Sequence, residues 1–305
     1  MTPPPVLAAV DLGSNSFRLQ FGQVEHGQLT LLDSLRIPVR LAAGLDADHN
    51  LDEAARQRAL DCLHQFRELI AARHPERIRV VGTHTLRVAG NSDAFLHELE
   101  AALGQTIEII PGEEEARLIY LGVAHGLPPS DERRLVVDIG GGSTEFILGQ
   151  GVEARRLASL PLGGVTWSRR YFPEGRISAE NLALAETTAR EHLGRITTDF
   201  AHPQWDAAYG SAGTAFVVNE VLRNNGYSEE GLTRNALEAL REHLIRAGSV
   251  GQLDLSGLKP DRVAALPGGF AILYTVFQAL GIERMQPVHT ALREGLLQDM
   301  LQFYR

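Results

Sequence analysis

Two short stretches hold residues suited to phosphate chemistry: Asp11-Leu12-Gly13-Ser14-Asn15-Ser16 and Asp138-Ile139-Gly140-Gly141-Gly142-Ser143-Thr144. Each opens on an aspartate at the end of an apolar run and continues as a Gly/Ser turn. Such a turn between strands can aim several backbone N–H groups at one oxyanion, because glycine accepts φ > 0 and has no side chain to block approach. Ser14, Asn15, Ser16, Ser143 and Thr144 add hydroxyl and amide groups. The carboxylates of Asp11 and Asp138 suit Mg2+, which takes a few carboxylates together with phosphate oxygens. A single glycine turn is an ordinary hairpin. Two with the same Asp-apolar-Gly opening argue for paired phosphate loops.

The composition limits how phosphate can be held. The 305 residues carry a formal net charge of -9, so the overall field does not attract polyanions and broad nucleic-acid binding is disfavoured. Grip on a phosphate chain must come from local donors and metal. Lys259 is the only lysine, which leaves none for a Walker A loop. Cationic contacts fall to arginine and its bidentate fork. Cys62 is the only cysteine; it excludes an internal disulfide and fits a reducing, cytoplasmic setting. No long apolar run predicts a membrane span, and Met1-Thr2-Pro3-Pro4-Pro5 lacks the basic start of a secretory signal. The chain lacks a His-Glu-x-x-His motif, a Gly-x-Ser-x-Gly elbow and a cysteine phosphatase loop.

The elements that must position these residues follow an α/β pattern. Val6–Asp11, Phe17–Gly22 and Leu29–Val39 read as strands of two successive hairpins. Residues 51–73 read as a helix, 78–82 as a strand, 92–103 as a helix, 106–110 as a strand and 113–125 as a helix. Beyond the breaker Gly126–Ser130 the opening recurs, with strands at Leu135–Ile139, Thr144–Gly149 and Val152–Leu160. The recurrence predicts a duplicated domain, 1–126 and 127–305, with the closing helix able to pack back on the first. The second half adds a long helix from Ser178 to about Ala201 and a strand at Ala207–Tyr209. Helices follow at 214–225, 233–247 and 269–280, then a strand at 285–288 and a helix from Leu292 to Tyr304.

The paired loops resemble those of the acetate/sugar kinase, heat-shock chaperone and actin superfamily. More narrowly, the chain resembles the exopolyphosphatase/guanosine pentaphosphate phosphohydrolase (Ppx/GppA) family. Val10–Arg18, Gly82–Arg87, Gly112–Arg117, Asp138–Glu145, Gly210–Thr214, Leu266–Gly269 and Leu292–Gly295 carry the likeness. It implies two actin-like (ribonuclease H-like) α/β domains, each a mixed sheet flanked by helices, with a cleft where the two loops face one another. It further implies a Mg2+-dependent enzyme that hydrolyses the terminal phosphoanhydride of polyphosphate or guanosine pentaphosphate, and a homodimer.

By that resemblance Glu115 is the base, with Glu114 as its alternate. Both also suit a helix N-terminus, where negative charge is favourable. Glu113, a non-acidic position in relatives, adds negative charge beside them, which would raise the pKa of the base. Asp138, Glu145 and Asp11 are assigned to Mg2+. Gly13, Ser14, Asn15, Ser16, Gly140, Gly141, Gly142, Ser143 and Thr144 are assigned to phosphate, with Arg18 and Arg87 as clamps. Gly213 lies in Gly210–Thr214, which matches the superfamily's second-domain glycine motif, where a nucleoside can sit; it is grouped with the phosphate-binding glycines. Arg293 suits either a structural ion pair or substrate contact, and His84 reads as a buried histidine without chemistry. A kinase of the same superfamily, or a nucleotide sensor without catalysis, would use the same loops.

Overall fold

The computed structural model describes residues 4–304. They form two compact units, one made of residues up to His125 and those from Thr290 on, the other of Gly126–His289.

In the first unit β1 (Val6–Leu12), β2 (Phe17–Glu25) and β3 (Gln28–Ile37) form an antiparallel meander. β1 is buried along nearly its whole length, as its continuous apolar run requires of a central strand. β3 is an edge strand with most of its residues exposed or half-buried. α1 (Glu53–Arg73) is capped by Asp52, whose side chain accepts from Ala55 N at 2.6 Å. β4 (Arg77–Gly82) then pairs parallel to β1. α2 (His84–Val88), α3 (Ser92–Leu103), the short β5 (Glu108–Ile109) and α4 (Gly112–Gly126) follow. The sheet order is β3-β2-β1-β4-β5. Leu12, Leu19, Leu63, Phe66 and Phe95 meet in its core.

The second unit repeats the opening with β6 (Arg133–Ile139), β7 (Thr144–Gln150) and β8 (Glu153–Leu160). α5 (Gly164–Tyr171) comes next, in a stretch for which the sequence reading gave no element. The long helix expected over 178–201 is broken: α6 (Ala179–Leu193) ends at Gly194, and the chain turns into the single turn α7 (Thr197–Phe200). β9 (Ala207–Ser211), α8 (Ala212–Asn224), β10 (Leu232–Thr233), α9 (Arg234–Ala247), α10 (Leu266–Leu280) and β11 (Arg284–Pro287) complete the unit. Its sheet order is β10-β11-β9-β6-β7-β8, so β6, β7, β8 and β9 stand to one another as β1, β2, β3 and β4 do. Val263–Leu280 is apolar and long enough to cross a membrane, yet it is 72% buried, and α10 packs against α5, α6 and α8. Here it is a core helix.

The chain closes with α11 (Leu292–Leu301). The sequence reading included it in the range 127–305. It packs on β1, β2 and β3 of the first sheet and belongs to the first unit.

Candidate functional site

In the first unit, strand register sets the loop. Asp11 at the end of β1 is the direct cross-strand partner of Arg18 on β2, and Gly13–Ser16 make the turn between them. The carbonyls of Ser14 and Asn15 accept from the amides of Ala42 and Arg40 at 2.9 and 2.8 Å. Those carbonyls are thus held from behind, the arrangement a turn needs if its amides are to serve a ligand. Ser16 Oγ is buried and has no hydrogen-bond partner among the described residues. An orphaned buried hydroxyl fits a site waiting for an oxyanion.

Burial around the Asp11 carboxyl pushes its pKa up to about 6; Arg18 and then Arg293 pull it back, and Glu294 adds to the rise. Arg293 reaches this corner from the start of α11, where it also pairs with Glu294 at 3.4 Å. It therefore acts on the charge of Asp11 from within the same unit.

Glu115 lies in the first turn of α4 and is 7% exposed. Arg87 NH1, from α2, donates to Ile110 O at 2.6 Å and to Glu115 Oε2 at 3.4 Å. Arg87 thus ties the loop before α4 and sits beside the carboxylate assigned as base. Glu114 is differently placed. Arg117 grips both of its oxygens at 2.8 Å and, as the leading cause, holds its pKa below the usual carboxylate range. Such a carboxylate is a poor proton acceptor. Glu113 is exposed, and two residues along a helix it points to a different side from Glu115. His84 is half-buried and its pKa is lowered to about 4, by burial first and by Arg87 and His49 after it.

In the second unit four strands carry a row of polar residues in one register: Ser159 on β8, Glu145 on β7, Asp138 on β6 and Ser211 on β9. Direct partners share a face of the sheet. Ser211 Oγ donates to Asp138 Oδ2 at 2.6 Å, and Ser159 Oγ donates to Glu145 Oε1 at 2.8 Å. Both carboxylates are buried, at 6% and 1% exposure. Two neighbouring carboxylates on one face attract a cation.

The turn Gly140–Ser143 is closed by Gly140 N donating to Ser143 O at 2.9 Å. Its carbonyls are again held from behind, since Gly164 N donates to Gly140 O at 2.9 Å and Val165 N to Gly141 O at 3.0 Å. Gly163 makes this approach feasible. A Cβ there would lie 2.3 Å from Gly141 O and from Gly142 Cα. Thr144 is fully buried and its hydroxyl donates to Leu162 O, so it anchors the loop through its side chain. Gly213 opens α8 with the Arg262 guanidinium against it; the two line a pocket with Thr214, Val217, Val218 and Leu266. Just before it Ala212 adopts φ 61°, a left-handed conformation costly for a residue with a Cβ.

Among the described residues no group of three or more His, Cys, Asp or Glu side chains could by itself hold a metal ion. The two carboxylates of the Asp138–Glu145 pair are of the type and number by which Mg2+ is commonly held, with water and substrate phosphate oxygens filling the shell.

Register and turn geometry thus bring Asp11, Arg18 and Gly13–Ser16 to one corner of the first unit, with Glu115 beside Arg87 in the same unit. In the second unit they bring Asp138, Glu145 and Gly140–Ser143 together. The sequence reading missed Ser159, Ser211 and Gly163. Ser211 lay inside a quoted motif; the others had no local signal, because their roles depend on strand register and helix crossing.

Comparison with known proteins agrees with this architecture. The model of the Ppx/GppA phosphatase family matches residues 22–303. The chain is 40% identical over 297 residues to the guanosine-5'-triphosphate,3'-diphosphate pyrophosphatase of Photobacterium profundum, covering 97% of this chain and 59% of that protein. It therefore spans little more than half the length of this curated relative. Among solved structures, the Aquifex aeolicus PPX-GPPA enzyme superposes with a TM-score of 0.79 at 25% identity, over 97% of this chain and 100% of that one. An exopolyphosphatase from Cytophaga hutchinsonii gives a TM-score of 0.88 at 23% identity over 98% of each chain and speaks for the fold alone. The fold is the mixed α/β, actin-like one, and the chain belongs to the Ppx/GppA phosphatase family.

Proposed function

We propose that this chain is a Mg2+-dependent phosphohydrolase that releases the terminal phosphate of a phosphoanhydride, with inorganic polyphosphate or guanosine pentaphosphate as substrate. The observation that carries the reading is the duplicated loop with divergent partners. Asp11 faces Arg18 in one copy, and Asp138 faces Glu145 in the other. The first copy suits an anion, the second a cation, and a phosphate chain with its counter-ion needs both. The names of the relatives support the same class of substrate.

In this reading the amides of Gly13–Ser16 and Gly140–Ser143 hold phosphate oxygens, and Arg18 and Arg87 neutralise charge on the chain. Asp138 and Glu145 in the second unit would hold Mg2+, which when bound would neutralise charge on the phosphoryl oxygens; the assignment of Asp11 to the metal rests on the family resemblance alone. Glu115 orients a water in line with the terminal phosphorus and accepts its proton. The water oxygen forms the new P–O bond, the anhydride P–O bond breaks, and the shortened chain leaves with the electron pair. Arg87, beside Glu115, keeps the carboxylate aimed. Gly213 and its pocket are assigned to the rest of a nucleotide substrate. The protein works in the cytoplasm, where its single buried cysteine stays reduced. The homodimer implied by the family resemblance is checked by light scattering.

The test is phosphate release from polyphosphates of graded length beside guanosine pentaphosphate, with kcat/KM taken for each. Release of free phosphate without an acceptor supports hydrolysis. Transfer that requires an acceptor instead assigns the chain to the kinases of the superfamily.

A further inference from the structure

The first turn of α4 is held from two sides. Arg87 reaches Glu115 on one side. On the other, Arg117 grips Glu114 and also donates through NH2 to Asp299 Oδ1, on α11, at 2.9 Å. Asp299 Oδ2 accepts from Arg79 NH1, on β4, at 2.7 Å. Arg79 is in turn paired with Glu108 on β5 at 3.0 Å and lies 3.8 Å from Glu114. One carboxylate thus bridges the helix that carries Glu115 to the strand beside β1. Asp299 and Arg79 at its centre are partly shielded, at 23% and 18% side-chain exposure, while Arg117 at the α4 end is 38% exposed. Hydrogen bonding to Glu114, first, and the nearby Asp299 raise the pKa of Arg117 above its ordinary value. A multiply paired network with a partly shielded centre holds geometry better than an isolated surface pair does.

Further along, α4 and α11 touch backbone to backbone. A Cβ on Gly122 would lie 2.0 Å from Ala291 O, and one on Gly295 would lie 1.8 Å from Leu118 O. The two glycines form a crossing point. Buried residues of α4 such as Ala116, Ile119 and Val123 also hold the helix, so a swing about this point is small. Glu115 lies at the end of α4 that such a swing would move, about two turns from Gly122. Asp299 lies about one turn beyond Gly295, where its bridge to Arg117 and Arg79 opposes that swing.

We infer that Asp299 is a positioning residue for Glu115: pinned at Gly122 and Gly295, α4 is locked in rotation by the Arg117–Asp299–Arg79 bridge, so the base stays aimed. The inference rests on the reading of Glu115 as the base. A displacement of about 1 Å at a reacting group can cost on the order of a hundredfold in rate, and a loosened helix end samples such displacements.

The test compares Asp299→Asn, Asp299→Ala, Asp299→Glu and Arg79→Gln with Glu115→Gln, by phosphate release from polyphosphate well below each variant's Tm. Asp299→Asn is expected to lower kcat about tenfold with KM changed by less than about twofold, since Asp299 is placed away from substrate. Asp299→Glu should recover part of the loss, and Arg79→Gln, which cuts the other end of the bridge, should reproduce it. If the Asn, Ala and Gln variants keep kcat within about twofold and lose only Tm, the bridge is purely structural and the inference is overturned. Full activity of Glu115→Gln would instead overturn the base assignment, and with it the role given to Asp299.

Discussion

Asp138 on β6 and Glu145 on β7 are direct cross-strand partners, each bonded to a serine on the next strand outward. Like charges directly opposite one another on a sheet destabilise it unless something neutralises them. The same register in the first unit pairs Asp11 with Arg18. The two copies of the frame thus set a cation opposite the first aspartate and a second carboxylate opposite the other.

The carboxylate pair predicts a metal requirement set by this unit. Phosphate release should stop in excess chelator and return when Mg2+ is restored. Asp138→Asn should raise the Mg2+ concentration for half-maximal activity by about tenfold or more, because removing one metal-ligand carboxylate weakens a site already short of protein ligands. Full activity in excess chelator would refute the metal assignment. A titration of rate against Mg2+ decides it.

Asp11 predicts a pH-dependent stability. Its carboxyl titrates near 6 in the fold against 3.8 unperturbed, chiefly because burial disfavours the charged form. The folded state therefore binds the proton more tightly than the unfolded chain does. The stability this group contributes is complete below about pH 4 and is lost as pH rises through about 6. Asp11→Asn carries no charge and escapes that loss. Its Tm advantage over the native chain should grow from pH 4 to 6 and level off above. Thermal melts across pH 4–8 check this, and a pH-independent difference would count against it.

Gly163 predicts a steric test of the second loop. Its φ of -121° is open to any residue, so the barrier to substitution is space alone. Gly163→Ala would drive a methyl into Gly141 and Gly142 backbone atoms that cannot rotate away. The expected cost is about 2 kcal/mol of stability, as for overpacking elsewhere. A larger relative loss of activity than of stability is also expected, because the displaced atoms belong to the phosphate loop. Denaturant melts and kinetic assays on the same samples separate the two effects.

Much of this was legible in the sequence. The Asp-apolar-Gly openings gave both hairpins and the duplication, because strand, turn and strand are all set by local residues. The Glu114/Glu115 ambiguity was not resolvable there. Both lie in one helical turn; the i,i+3 spacing allows the Glu114–Arg117 pair, but only tertiary packing brings Arg87 to Glu115. Glu113 is exposed and leaves α4 on a different side from Glu115, because adjacency in sequence is not adjacency on a helix face. The break at Gly194 went unread because the apolar spacing continues through the short α7. The return of α11 to the first unit was among the expectations, but the backbone crossing at Gly122 and Gly295 that seats it was not, since a glycine's small size announces no partner.

The most direct measurement is steady-state phosphate release by Glu115→Gln beside the native chain, with folding checked by circular dichroism and thermal melting. A side chain of the same shape that cannot take a proton should leave the fold intact and KM near its native value. It should lower kcat by about a hundredfold or more, the usual scale for loss of a general base. A correctly folded Glu115→Gln protein that turns over at the native rate would contradict the account.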